Sequence, residues 1–252
     1  MRYCDDGWLP DPPSKYKPFA GLAVAGKRSL AECDLRIASF CRHDQGSTRS
    51  CVAQAVAKAL EVKRVLQYGP RAHRDLSRMA LWYLGRELCI PKTNRQNTGT
   101  YIWLVCDVLR RFGAALEEEW EWDESLMAVA PSWGSMRQAY LHKITGYYRI
   151  TSRGQQRVDD CITALNAGEP VVFGTATGDN WQRYQSGQVL GLPQEETGRH
   201  ATVLMGWVGG RFVGENSWGR KWGDDGFYTM DPAVVASALS EDFWVLQCGW
   251  EE

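Results

Sequence analysis

The sequence has no apolar run approaching the ~20 residues that a bilayer-spanning helix needs, so no membrane partner is expected. Its first residues, Met1-Arg2-Tyr3-Cys4-Asp5-Asp6, are polar and lack the basic-then-apolar pattern of a signal peptide. A cytoplasmic or otherwise non-classical location in a reducing environment is the expectation. Charge of either sign is not in excess: 29 Lys and Arg face 30 Asp and Glu, for a formal net charge of −1. Nothing in that balance points to nucleic acid or an anionic surface as a partner. Among eight cysteines no C-x-x-C pair occurs, so no zinc site, metal or cofactor is expected. Internal repeats and low-complexity segments are absent as well.

What is present is globular. A chain of 252 residues, 44% hydrophobic and 23% charged, can bury a real core as one two-lobed domain or two small ones. The pattern predicts an α+β chain in three parts. Residues 1–33 read as an extended arm stiffened by Trp8-Leu9-Pro10-Asp11-Pro12-Pro13 and expected to pack along the surface. Residues 34–130 read as a helical lobe, with helices from Cys51, over 75–88 and over 100–112. Residues 131–252 read as a β-rich lobe, with strands near 144–150, 171–173, 201–207, 211–215, 226–230 and 243–247. Helices over 158–167 and 233–239 interrupt them, the second capped by Asp231 with Pro232 at its first position.

The helix at Cys51 organises the rest. Val52, Ala55, Val56, Ala59 and Leu60 recur at helical spacing, with Gln54, Lys58 and Glu61 on the opposite face. Ser50 is placed to cap it. Cys51 therefore sits in a first turn, where the positive end of the helix favours a thiolate. Gln45 lies on the entering loop, able to aim an amide N–H in front of the sulfur. Far downstream, Gly198-Arg199-His200-Ala201-Thr202-Val203 reads as a loop feeding a strand. Asn216-Ser217-Trp218-Gly219 and Trp222-Gly223-Asp224-Asp225-Gly226-Phe227 follow it.

These stretches, in this order, resemble the papain-like cysteine proteases. His200 follows Cys51 by 149 residues, inside that family's range. The resemblance covers about residues 34–230 and is closest to bacterial or phage-type members without a full prodomain. It implies a papain-like two-lobed fold, with a helical lobe, an antiparallel β-barrel-like lobe and the active-site cleft between them. It implies a thiol endopeptidase whose partner is a peptide or protein substrate; membership of a larger assembly stays open. The catalytic set would be Cys51 as nucleophile, His200 as its base, Asn216 orienting the imidazole and Gln45 on the oxyanion. Trp218 would shield the His200–Asn216 bond. Gly99, Thr100, Tyr101, Arg199 and Trp218 would touch substrate.

There are departures from the family. Thr100 stands where a second glycine is usual, so a narrower cleft is expected, with Tyr101 and Ile102 as apolar walls. Arg199, just before the histidine, is expected near the pocket for the second residue on the acyl side, where it would disfavour Lys or Arg. Thr48 replaces a structural cysteine common in secreted relatives, which favours reduced thiols. The first thirty residues are too proline-rich for the helical inhibitory segment of family precursors. Two rival readings remain: a binding or assembly module with narrow or vestigial activity, and an acyl-transferring enzyme of transglutaminase type. The Gln45–Cys51 spacing and Asn-Ser-Trp-Gly favour hydrolysis.

Overall fold

The computed structural model describes residues 3–4, 6–12 and 30–248. One long helix forms the floor of the molecule: α1, Cys51–Tyr68, runs without interruption until Gly69, whose φ of +84° suits a glycine and ends it. Around α1 pack α2 (Arg78–Glu87) and α3 (Ile102–Arg111). Ser77 caps α2, its side chain accepting from the Ala80 N–H. A short α4, Trp133–Ala139, follows; its roughly two turns have too weak a periodicity to read from sequence.

The opposite face of α1 meets a seven-stranded antiparallel sheet. Its strands are β1 (Cys33–Asp34), β2 (Gly146–Ile150), β3 (Val171–Thr177), β4 (Gly198–Val208), β5 (Arg211–Glu215), β6 (Phe227–Met230) and β7 (Ser240–Gln247). They lie in the order β2-β7-β3-β4-β5-β6, with β1 pairing β4. Helix α5 (Gly154–Asn166) and two short helices, α6 (Asp179–Gln182) and α7 (Pro232–Ala236), fill the connections. Asp231 caps α7 as predicted, accepting from Ala233 N–H. Several strands extend beyond their apolar stretch because pairing, not hydrophobicity, sets their ends: β3 runs to Thr177 opposite Gly198 of β4. Among the described residues no helix is long and apolar enough to cross a membrane.

One expectation about α1 is corrected. Ser50 precedes it but makes no cap bond; its hydroxyl engages Thr48 Oγ1 at 2.7 Å and Gln54 Nε2 at 3.2 Å instead. The face carrying Gln54, Lys58 and Glu61 is also buried, because α1 is enclosed by helices on one side and β4 on the other. Its charges are tolerated because they are paired. The Lys58 ammonium lies 3.0 Å from Glu61, 3.5 Å from Glu215 at the end of β5, and 2.8 Å from the Cys41 carbonyl. His43 Nε2 stands 3.2 Å from Glu61. Burial alone would raise the Glu61 carboxyl, but Lys58 and His43 pull it well below the ordinary range. Burial, helped by Lys58, pushes His43 down to about 4, so it is neutral. The network bridges α1 to the end of β5, one residue before Asn216.

Candidate active site

Cys51 opens α1 and His200 lies near the start of β4; the α1–β4 contact brings them together. The backbone N–H of Ala201, next to His200, donates to Cys51 Sγ at 3.4 Å. His200 Nε2 lies 2.7 Å from Asn216 Oδ1. The same oxygen accepts the Ser217 N–H at 2.7 Å. The Ser217 N–H fixes that atom as the amide oxygen, which only accepts, so the imidazole proton sits on Nε2 and the lone pair on Nδ1. Nδ1 is buried and has no hydrogen-bond partner among the described residues.

Aromatic rings wall this pair off. Trp218 lies 4.9 Å from the His200 ring and Trp181 meets it edge-on at 5.7 Å, with Trp222 stacked on Trp181 at 6.0 Å. Excluding water strengthens the His200–Asn216 bond. Trp181 carries little signal in the sequence, being one apolar residue in the short α6 that follows β3. Gln45 is fully buried on the loop that enters α1. Its Oε1 accepts from Ser217 Oγ at 2.6 Å, which fixes the amide so that Nε2 donates, to the Thr48 carbonyl at 2.8 Å and to the Cys4 carbonyl at 3.0 Å.

That last acceptor belongs to the arm. The expectation that residues 1–33 merely pack along the surface is overturned for the described part. Residues 3–4 and 6–12 lie in the cleft. Tyr3 stacks on Trp218 at 4.8 Å, and Gln182 binds the Tyr3 backbone at both its N–H and its carbonyl. The Cys4 carbonyl accepts from Trp218 Nε1 at 3.1 Å as well as from Gln45. Gly7 passes so close that a Cβ on it would lie 2.5 Å from Cys51 Sγ. Trp8 pairs with Thr100 as a parallel bridge: Thr100 N–H donates to the Gly7 carbonyl at 3.2 Å, and Leu9 N–H to the Thr100 carbonyl at 3.1 Å. Asp6 makes a similar bridge to Arg199. Among the described residues, the segment that covers the site is extended rather than helical.

The cover changes the electrostatics. Cys51 and His200 are both 0% exposed. Burial pushes the Cys51 thiol up to about 12, against the lowering pull of the Ala201, Val52 and Gly7 N–H groups. Burial holds His200 down to about 4. With the arm seated the pair is a neutral thiol and a neutral imidazole, not the thiolate–imidazolium expected of an open site.

The remaining residues divide. Gly99 lines the cleft; a Cβ there would fall 2.4 Å from the Gly7 carbonyl oxygen. Thr100 lines it through its backbone only. Its side chain is buried behind, with Oγ1 3.6 Å from Cys89 Sγ, so it does not narrow the cleft. Tyr101 precedes α3 half-buried, and Ile102 is wholly in the core rather than a cleft wall. The Arg199 guanidinium is half-exposed and bonded to Glu196 at 3.1 Å.

Comparison with known proteins agrees with this geometry. The sequence model described as papain family cysteine protease matches residues 33–245. An uncharacterized peptidase C1-like protein of Acanthamoeba polyphaga mimivirus is 28% identical over 216 residues, covering 81% of this chain and 68% of its own. Among solved structures, xylellain, a cysteine protease from Xylella fastidiosa, superposes with a TM-score of 0.84 at 25% identity, over 99% of this chain and 98% of its own. Digestive procathepsin L 3 of Tenebrio molitor larval midgut shares the fold at a TM-score of 0.72 and 18% identity, over 92% of this chain and 73% of its own. Matched in sequence along most of its length and in fold throughout, the chain belongs to the papain family of cysteine proteases.

Proposed function

We propose that this chain is an endopeptidase that hydrolyses peptide bonds through an acyl-enzyme on Cys51, and that the arm-covered form is its latent state. The observation that carries the reading is the tautomer of His200. With its proton held on Nε2 by Asn216, the imidazole keeps a lone pair on Nδ1 with no other partner among the described residues. Once the arm leaves, Nδ1 takes the thiol proton. The thiolate attacks a peptide carbonyl carbon, and the oxygen becomes an oxyanion that receives N–H bonds from Gln45 Nε2 and the Cys51 backbone. Collapse breaks the C–N bond, and His200 returns its proton to the leaving amine. Water, deprotonated by His200, then attacks the thioester and frees the acid and Cys51.

Endopeptidase action is supported by the path of the arm, which extends to both sides of the sulfur, from Trp218 at one end to Thr100 at the other. A cleft that accepts a chain through and through suits cleavage within a chain. The test uses the full chain carrying Trp8→Ala, to weaken the cover, with a peptide library read by mass spectrometry. Internal cleavage is expected, lost with Cys51→Ser and with His200→Ala. No cleavage, or cleavage that survives Cys51→Ser, would remove the reading.

A further inference from the structure

The seat of Trp8 is not explained by the catalytic groups. Trp8 is 4% exposed, and its Nε1 donates to Asp242 Oδ2 at 3.1 Å. The ring lies against Gly174 of β3, where a Cβ would fall 2.0 Å from the indole Cε2. Any side chain at 174 would fill the seat. Asp242, on β7 beside it, is held with φ of +56°, a conformation few non-glycine residues adopt, and its Oδ1 is paired with Arg149. Its Oδ2 accepts from Trp8 Nε1 and from the Asp11 backbone N–H at 2.7 Å. Both donors belong to the arm. When the arm leaves, an indole-sized space opens over Gly174, with a buried carboxylate oxygen at its end and no donor left from the arm. A further cavity of about 100 Å³ adjoins the ring, lined by Ala176, Arg199, Leu239 and Glu241.

We propose that Gly174 and Asp242 are specificity determinants that make this seat select tryptophan in the substrate. Trp8 is flanked by the two backbone bonds to Thr100. A substrate strand of the opposite, cleavable polarity meets the same Thr100 N–H and carbonyl through the carbonyl and N–H of one residue, and that residue, the second on the acyl side, presents its side chain to the seat. The choice among side chains follows from the charges. Arg149 already pairs with Asp242 and, at the mouth, Arg199 pairs with Glu196, so neither carboxylate needs a cation from an incoming Lys or Arg. A neutral ring N–H satisfies Oδ2 without adding charge. Phe or Leu fills space but leaves that oxygen unpaired, which a buried acceptor resists. The chemical class is therefore a polypeptide with tryptophan at that place, and the arm imitates it. This inference rests on the peptidase reading above.

The experiment uses full-length Trp8→Ala and peptidyl vinyl sulfones that differ only at the second residue: Trp, Phe, Leu, Arg or Ala. The rate of Cys51 modification is followed by mass spectrometry. The tryptophan probe is expected to react faster than the phenylalanine probe by roughly tenfold to a hundredfold. Adding Gly174→Ala should slow the tryptophan probe at least about tenfold while sparing the alanine probe, since one methyl fills the seat. Adding Asp242→Asn should bring tryptophan toward phenylalanine. A tryptophan probe no faster than phenylalanine, or one indifferent to Gly174→Ala, overturns the proposal. Iodoacetamide separates the two levels. If it alkylates Cys51 of Trp8→Ala no faster than Cys106 and Cys161, the peptidase reading itself fails; rapid alkylation without tryptophan preference rejects the seat alone.

Discussion

Gly7→Ala places one methyl group between the arm and the nucleophile. Built on the seated backbone, that carbon lies 2.5 Å from Cys51 Sγ and 2.7 Å from the Arg49 carbonyl oxygen. Neither neighbour can retreat: the sulfur starts α1, and the carbonyl belongs to the loop that positions Gln45. The strain falls on the arm, which is the movable partner. Forcing a methyl into a packed site typically costs about 1–3 kcal/mol. At about 1.4 kcal/mol per tenfold, the arm-open population rises roughly five- to 150-fold. Because Cys51 is wholly covered when the arm is seated, with its thiol pushed up to about 12, its alkylation reports that population. The assay is iodoacetamide at pH 7.5 with peptide mapping at short times. Cys106 and Cys161, both 0% exposed, serve as internal references for global unfolding. Selective acceleration at Cys51 is expected. Cys51 modified at the wild-type rate in Gly7→Ala would mean that the arm does not govern access to the sulfur.

The seated arm should also respond to pH. Burial and the nearby Asp242 raise Asp11 to about 8, against the 3.8 it regains when released. A raised carboxyl favours the seated state fully below pH 3.8, and that advantage is lost as pH climbs through about 8, by at most tenfold per pH unit. Cys51 alkylation, corrected for thiolate fraction, should therefore rise across this window, and Asp11→Asn should flatten the rise. Gln45→Ala in the Trp8→Ala chain should cut kcat by about 10²–10³ with little change in KM, since its donor acts on the oxyanion; an unchanged kcat refutes that role. Asn216→Ala should leave reduced but measurable kcat, His200 being present but poorly aimed; wild-type kcat would count against the orienting bond. Lys58→Ala strands Glu61 and Glu215 in the interior and should cost about 3–5 kcal/mol in urea unfolding; a loss under 1 kcal/mol would show the network to be dispensable.

The parts of the fold legible in the sequence were those governed by local pattern. The apolar spacing of α1 and Asp231 with Pro232 at α7 both speak through neighbours in the chain. The groups around the sulfur were legible because Gln45, Cys51, His200 and Asn216 come with recognisable surroundings. What stayed hidden depends on partners distant in sequence. Lys58 and Glu61 look like a solvated helix face until Glu215 and the Cys41 carbonyl arrive from elsewhere. Thr100 looks like an obstruction until its side chain is seen to turn toward Cys89. The arm was read from its prolines, which exclude a helix, whereas its destination was set by Trp8, a single residue whose partners Gly174 and Asp242 lie at the other end of the chain.

The polarity of the arm makes it a stopper that its own enzyme does not consume. Running parallel to the Thr100 strand, it turns the Gly7 N–H, rather than a carbonyl carbon, toward Sγ, while the oxygen held by Gln45 comes from Cys4, three residues earlier. Acylation requires the carbon and oxygen of one carbonyl to reach the nucleophile and the donor together, and here the two positions are filled by separate peptide groups. Seating therefore costs the arm no bond. On the proposed reading it would close and reopen over the enzyme's lifetime, and latency would be an equilibrium set by what competes for the Trp8 seat, instead of a seal broken once.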